Sequence, residues 1–379
     1  MLLDAPLSPP IRTASMLLLL AASAVARHGH AAPEPPRQPA HGPGGSEYAY
    51  ERVEAAAHGE GNDRYWIFTP AGRTTAVAVP ASVTDVPVVV FLHGWGAMNP
   101  VHYGAWIEHL VRRGHTVVYP QYQESLRVPP AAMIDHAVAA VREAFRRLGE
   151  PPRWAVIGHS LGGTIAANLA ARSAAVGLRP PAMVLSVEPG MAPPGKRPAG
   201  GRGTVPLDDL GSLPRDLVLV TVAGDRDEVV GADAARLIFA RATGVAPTHK
   251  RYVVVRSDEH GSPPIIANHR APSARNDDFD LLTRPERSAR PGSRLLERRL
   301  CGGDCDQREA TDRGAVDAID WYAFWKLSDG LIEIAATGGA RPFTAENERM
   351  LADMGRWSDG TPVRPLEIHA VLPEPPMRR

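Results

Sequence analysis

Between Arg64 and His260 short β-branched apolar runs alternate with longer segments of helical period, and few folds accept that pattern. A parallel sheet with helices on both faces is the arrangement that does. The runs are Tyr65 to Thr69, Val88 to Leu92, Thr116 to Tyr119, Trp154 to Ile157, Met183 to Val187, Leu217 to Val222 and Tyr252 to Val255. Most are apolar at nearly every position, as central strands buried on both faces must be. Helical periodicity falls over His102 to Arg113, Ala131 to Leu148, Leu161 to Ala175 and Ala232 to Ala242. Gly114 and Gly149 stand where C-terminal caps belong. The expected class is therefore α/β, with a mostly parallel central sheet flanked by helices.

A chain of 379 residues, 44% hydrophobic and 22% charged, can enclose a sizeable core. Its 42 basic and 42 acidic residues leave no net field to gather nucleic acid or an anionic membrane, so a small or neutral substrate is expected. Residues 1–26 read as a signal peptide: Arg12, an apolar run from Met16 to Ala26, and Ala24-Val25-Ala26 as a cleavage site. That run is too short to span a bilayer, so export to the periplasm or outside is expected, with no stable membrane anchor. Residues 27–60, which include the Pro-, Gly- and His-rich stretch Pro33 to Gly45, read as a disordered linker. A single domain is expected over 61–340, interrupted by an Arg- and Asp-rich insertion at about 262–313 and completed by a helix over Ala315 to Ile334. Residues 341–379 are expected to form a C-terminal tail. Cys301 and Cys305 are the only cysteines, and two intervening glycines would let them close a local disulfide in an exported protein. Without heptads or an exposed apolar stripe, a monomer is the default.

The segment Gly158-His159-Ser160-Leu161-Gly162-Gly163 follows one predicted strand and opens a predicted helix. A serine on so sharp a turn needs small neighbours two residues away on each side, which Gly158 and Gly162 supply. The lysine of a phosphate-binding loop is missing. Here the sequence resembles the α/β-hydrolase superfamily of serine esterases and lipases, from about Tyr65 to Ile334. That resemblance implies the α/β-hydrolase fold, Ser160 as nucleophile, and a chain order of nucleophile, acid, histidine.

For the acid, Gly224-Asp225-Arg226-Asp227-Glu228-Val229-Val230 resembles the family's turn after a late strand, with Asp227 at the acid position. Asp225 is its neighbour and competitor, and Glu188 stands after an earlier strand where some relatives carry the acid. For the base, His260 lies in Ser257-Asp258-Glu259-His260-Gly261, on the loop after the last predicted strand. His269, further beyond that strand, is the other late candidate, and His159 is expected to pack beside the serine rather than act on it. Phe91-Leu92-His93-Gly94-Trp95-Gly96 resembles the family's H-G-x motif, so the resemblance places oxyanion-hole N–H donors at Trp95 and Leu161. His93 would support that loop.

The expected activity is cleavage of a small or lipid-like carboxylic ester through an acyl-enzyme, without cofactor or metal. The carboxylic ester itself is implied by the family alone. Two alternatives remain open: an acyltransferase on the same triad, and a catalytically silent binding protein of the same fold. A metal held by Asp225, Asp227, Asp258 and His260 is a further possibility that the triad reading already absorbs.

Overall fold

The structure is a computed structural model that describes residues 32–192, 203–282, 314–337 and 342–374. The chain divides into two units, Met1–Ala32 and Pro33–Arg379. The expected signal peptide, the cysteine pair Cys301 and Cys305, and most of the insertion lie outside the described residues.

The second unit is built on one nine-stranded sheet in the order β1-β2-β4-β3-β5-β6-β7-β8-β9. The strands are β1 Tyr50–His58, β2 Tyr65–Arg73, β3 Val88–Leu92, β4 Thr116–Pro120, β5 Trp154–His159, β6 Met183–Val187, β7 Val218–Gly224, β8 Lys250–Val255 and β9 Glu367–His369. From β4 through β8 the pairing is parallel, while β1, β2 and β9 run antiparallel to their neighbours. All seven predicted strands form within a few residues of their expected ends. Helices α1 Ala81–Asp85, α2 Gly104–Arg113, α3 Pro130–Leu148, α4 Leu161–Arg172, α5 Asp233–Arg241, α6 Lys326–Thr337 and α7 Ala345–Ala352 complete the unit.

Two large apolar clusters form its core. One joins Phe91, Ile157, Leu185 and Val222 to Trp106 of α2 and to Phe324, Leu327 and Leu331 at and before α6. The other joins Val90, Val156, Val184 and Leu219 to Ile134 of α3 and Ile165 of α4. Alternate residues of each central strand thus enter different clusters, which is why these strands carry almost no polar residue. Each fully buried Val, Leu or Ile contributes about 1.5–3 kcal/mol. The expected helix over Ala315 to Ile334 begins instead with a π-helical stretch, Asp320–Trp325, before α6.

Two expectations about the ends are corrected. The segment read as a linker supplies β1, which pairs with β2 from Tyr50 to His58. Its upstream part is also fixed, because the Gly44 N–H donates to the buried Asp329 carboxylate at 2.7 Å. The segment read as a tail contains α7 and β9, and β9 pairs with β8 at the opposite end of the sheet. β1 is an edge strand with most positions exposed, so it lacks the apolar pattern that marks a strand in sequence. The described beginning of the insertion, up to Leu282, is tied down as well. Ala274 N–H donates to His102 O at 3.1 Å, Asn276 N–H to Val101 O at 3.1 Å, and the Phe279 ring meets Phe68 at 5.4 Å.

Candidate active site

Ser160 joins β5 to α4 with φ 56° and ψ −126°, in a left-handed region that costs a non-glycine residue on the order of 1–3 kcal/mol. Backbone hydrogen bonds hold the strain in place: Ser160 N–H donates to Val187 O at 3.0 Å, and Ser160 O accepts from Gly163 and Gly190 N–H at 2.9 Å each. The flanking glycines are required by contact. A Cβ on Gly158 would collide with the Gly162 carbonyl, and one on Gly162 with the carbonyls of Leu92 and His93.

Ser160 Oγ lies 2.9 Å from His269 Nε2, and His269 Nδ1 lies 2.8 Å from Asp227 Oδ2. A carboxylate can only accept, so Nδ1 carries the imidazole proton and Nε2 is left to accept from the serine hydroxyl. Asp227 is itself oriented, its Oδ1 accepting from Val229 and Val230 N–H at 2.9 and 3.0 Å. All three residues are buried.

The expected base, His260, is not at this site. Its Nε2 lies 2.8 Å from Asp359 Oδ2 on the surface, its backbone N–H donates to Asp258 Oδ1 at 3.0 Å, and its ring packs on Trp357. The cause is a hairpin that the sequence pattern hides. Asp258 and Ile265 exchange backbone hydrogen bonds of 2.8 and 2.9 Å, so residues 259–264 turn outward and take His260 with them. The returning strand segment is then fastened beside the end of β7: Ala267 O accepts from Arg226 N–H at 3.1 Å, and Ala267 N–H donates to Ser257 Oγ at 3.0 Å. Two residues later His269 arrives over Asp227. The signal that could have found it is a chain that must come back to β7 before its histidine can reach the acid.

Asp225, the competitor for the acid position, accepts from Ser257 N–H at 3.0 Å and from its hydroxyl at 2.6 Å, and so fixes the loop that leads to the hairpin. Asp258 accepts from Trp357 Nε1 at 3.3 Å and from Arg364 N–H at 2.9 Å. With Asp225, Asp258 and His260 committed elsewhere, the four residues weighed as a metal set do not converge. Among the described residues one group has metal-ligand spacing, His159, Glu188 and His269, whose donor atoms lie within 4.8 Å of one another. His269 in that group already bridges Ser160 and Asp227.

The H-G-x turn sits against the serine, since a Cβ on Gly94 would stand 3.2 Å from Ser160 Cβ. It is pinned at several points. Gly94 N–H donates to Tyr103 Oη at 3.1 Å, Gly96 N–H to Gln123 Oε1 at 2.9 Å, and Tyr119 Oη to Ala97 O at 2.6 Å. His93 stacks on Tyr122 at 4.1 Å, and its two ring nitrogens lie 2.7 Å from Gly94 O and Gln121 O, the supporting role expected of it. Leu161 opens α4, so its N–H has no partner within the helix. His159 is buried beside the triad, its ring 4.8 Å from that of His269 and its Nδ1 2.8 Å from Tyr103 Oη. Burial lowers its pKa well below the usual imidazole value. Glu188 is fully buried, its pKa raised well above the ordinary carboxyl value by burial and then by Asp227.

Residues 87–194 match the family model of the alpha/beta hydrolase fold. Similar solved structures include carboxyl esterase 2 of the mycorrhizal fungus Tuber melanosporum, at 16% identity and TM-score 0.42, over 67% of this chain and 89% of that one. An alpha/beta hydrolase enzyme from the metagenome of Lake Arreo, Spain, is similar at 17% identity and TM-score 0.40, over 70% of this chain and 81% of that one. No curated protein matches the chain.

Proposed function

We propose, from the premise that the chain carries the alpha/beta hydrolase fold, that it is a serine hydrolase of carboxylic esters in which Ser160 attacks, His269 is the base and Asp227 orients it. One observation carries this reading: the continuous path from Ser160 Oγ through His269 to Asp227, at 2.9 and 2.8 Å, among buried side chains. A serine hydroxyl is a weak nucleophile until a neighbouring base removes its proton. His269 takes that proton as Oγ bonds to the ester carbonyl carbon, and the imidazolium is stabilised by Asp227. The same proton then passes to the departing alkoxide, leaving an acyl group on Ser160 and a neutral imidazole. Water enters and gives a proton to His269 as its oxygen bonds to the acyl carbon; collapse of that adduct breaks the bond to Ser160, and His269 returns the proton to Oγ as the acid departs.

In each half-reaction the oxyanion is held by the N–H groups of Leu161 and Trp95. The opening of α4 and the pinned turn beside Ser160 support that assignment, and one such donor is worth about 3 kcal/mol of barrier. A preset, rigid donor pair stabilises charge that solvent would have to reorganise to meet.

The test is turnover of short and medium p-nitrophenyl esters together with labelling by a fluorophosphonate. Wild type should hydrolyse at least one ester and take the label on Ser160, and Ser160→Ala should do neither. Labelling without hydrolysis of any ester would retain the nucleophile and overturn the substrate class. Neither label nor turnover would overturn the hydrolase reading itself.

A further inference from the structure

Beside the triad stands a buried acid that it does not use. Glu188 follows β6 with φ 43°, its N–H donating to Val222 O at 2.8 Å, so the backbone turns its side chain into the site. Among the described residues neither carboxyl oxygen has a hydrogen-bond partner. An unsatisfied buried carboxyl is costly and calls for an explanation. Space is kept for it, because a Cβ on Gly224 would approach Glu188 Oε1 to 2.6 Å.

Its surroundings say what it faces. Glu188 Oε2 lies 3.6 Å from His269 Nδ1 and 3.6 Å from His159 Nε2. The proton positions follow from the next contacts. Tyr103 Oη accepts from Gly94 N–H, so its own proton goes to His159 Nδ1, which puts the proton of neutral His159 on Nε2, toward Glu188. His269 Nδ1, the atom that Asp227 orients, is therefore approached by a second carboxyl from another strand, and that carboxyl is in turn faced by an N–H from β5.

We propose that Glu188 is a reserve orienting acid for His269, a positioning residue silent while Asp227 is present and able to take over its role when Asp227 is neutralised. The inference rests on the proposed triad and extends it. Two carboxylates so close cannot both stay ionised out of water, and two backbone N–H groups donate to Asp227 while, among the described residues, none donates to Glu188. Glu188 remains protonated, held so by burial and by Asp227. When Asp227 becomes an amide, the repulsion disappears. Glu188 then releases its proton to solvent, accepts from His159 Nε2 and His269 Nδ1, and fixes the same tautomer. The other charged or titratable groups about this cluster are Tyr103 and Arg270. Burial raises the pKa of the Tyr103 hydroxyl well above the ordinary phenol value and outweighs the lowering effect of the Gly94 N–H, so the hydroxyl stays protonated. Arg270 acts on His159 as a further positive charge.

The experiment compares Asp227→Asn, Glu188→Gln and the double variant by kcat/KM across pH, with fluorophosphonate labelling of each. Glu188→Gln alone should change kcat/KM by less than about threefold. Asp227→Asn should lose only about 10- to 100-fold, far less than the roughly 10⁴-fold expected of a base with no orienting acid, and its acid limb should move to higher pH as Glu188 must now ionise. The double variant should fall to about the full 10⁴-fold loss. A double variant no worse than Asp227→Asn would overturn the proposal, as would an unmoved acid limb. Glu188→Asp in the Asp227→Asn background, expected to recover part of the activity, guards against a packing effect of the amide. Failure of the wild type to label would instead refute the triad, so the two failures are distinct.

Discussion

Three histidine–carboxylate pairs in this protein have the same separation, 2.8 Å: His269 with Asp227, His260 with Asp359, and His109 with Asp329. Their surroundings differ entirely. The first is buried and ends on a strained serine. The second is on the surface, with both side chains more than a third exposed. The third is as buried as the first, but its carboxylate also meets Arg113 at 3.2 Å and the Gly44 N–H at 2.7 Å, and the His109 ring stacks on Trp325. Distance alone therefore identifies nothing. Burial decides whether a pair matters energetically, and the third partner separates the two buried pairs: a strained serine at one, an N-terminal segment of chain at the other.

The largest effect should separate the two candidate bases. His269→Ala is expected to lower kcat/KM on p-nitrophenyl esters by about 10⁴-fold or more, as Ser160→Ala should, whereas His260→Ala should stay within about twofold of wild type. A reversal of those two results would refute the assignment of the base. Next is the third pair. Asp329→Asn removes the buried counter-charge of Arg113 and leaves it only the more exposed Glu333 at 3.5 Å, so it should cost about 3 kcal/mol in denaturant unfolding, with kcat unchanged for the molecules that remain folded. Loss of kcat at full folding would show that this clamp also serves the site.

Acid should dissect the buried groups in order. His115 is buried, and burial lowers its pKa from 6.5 to about 4. The unfolded chain thus binds a proton that the folded one refuses, and stability on the order of 3 kcal/mol should disappear as pH falls from 6.5 to 4. Melting curves of His115→Gln should be flatter over that interval, and an identical slope would refute the linkage. For Asp329, burial alone would raise the pKa, but Arg113, His109 and the Gly44 N–H outweigh it and bring it down to about 2. Its contribution is present above pH 3.8 and is lost only as pH falls toward 2. The smallest effect belongs to the surface pair. The His260 ring and then the Thr361 N–H hold Asp359 down to about 2, yet the group is open to water, so Asp359→Asn should change neither melting temperature nor turnover measurably.

The sequence determined the parts of this protein whose physics is local. A strand buried on both faces must be apolar at almost every position, and a serine on a tight strand-to-helix turn must have glycine on either side, so the seven inner strands and Ser160 were legible directly. Asp227 was legible by resemblance, from a turn of fixed spacing. The outer strands β1 and β9 were not, because an exposed edge strand is specified by the partner it pairs with rather than by its own pattern. Only the tertiary structure decided which histidine stands against Ser160. His260 and His269 follow the same strand, and the choice depends on a hairpin closed between Asp258 and Ile265 and on the attachment of Ala267 beside β7, contacts between residues whose types carry no mark of them. The same holds for Glu188, whose nearness to Asp227 and His269 is created by neighbouring strands of a parallel sheet ending at the same level.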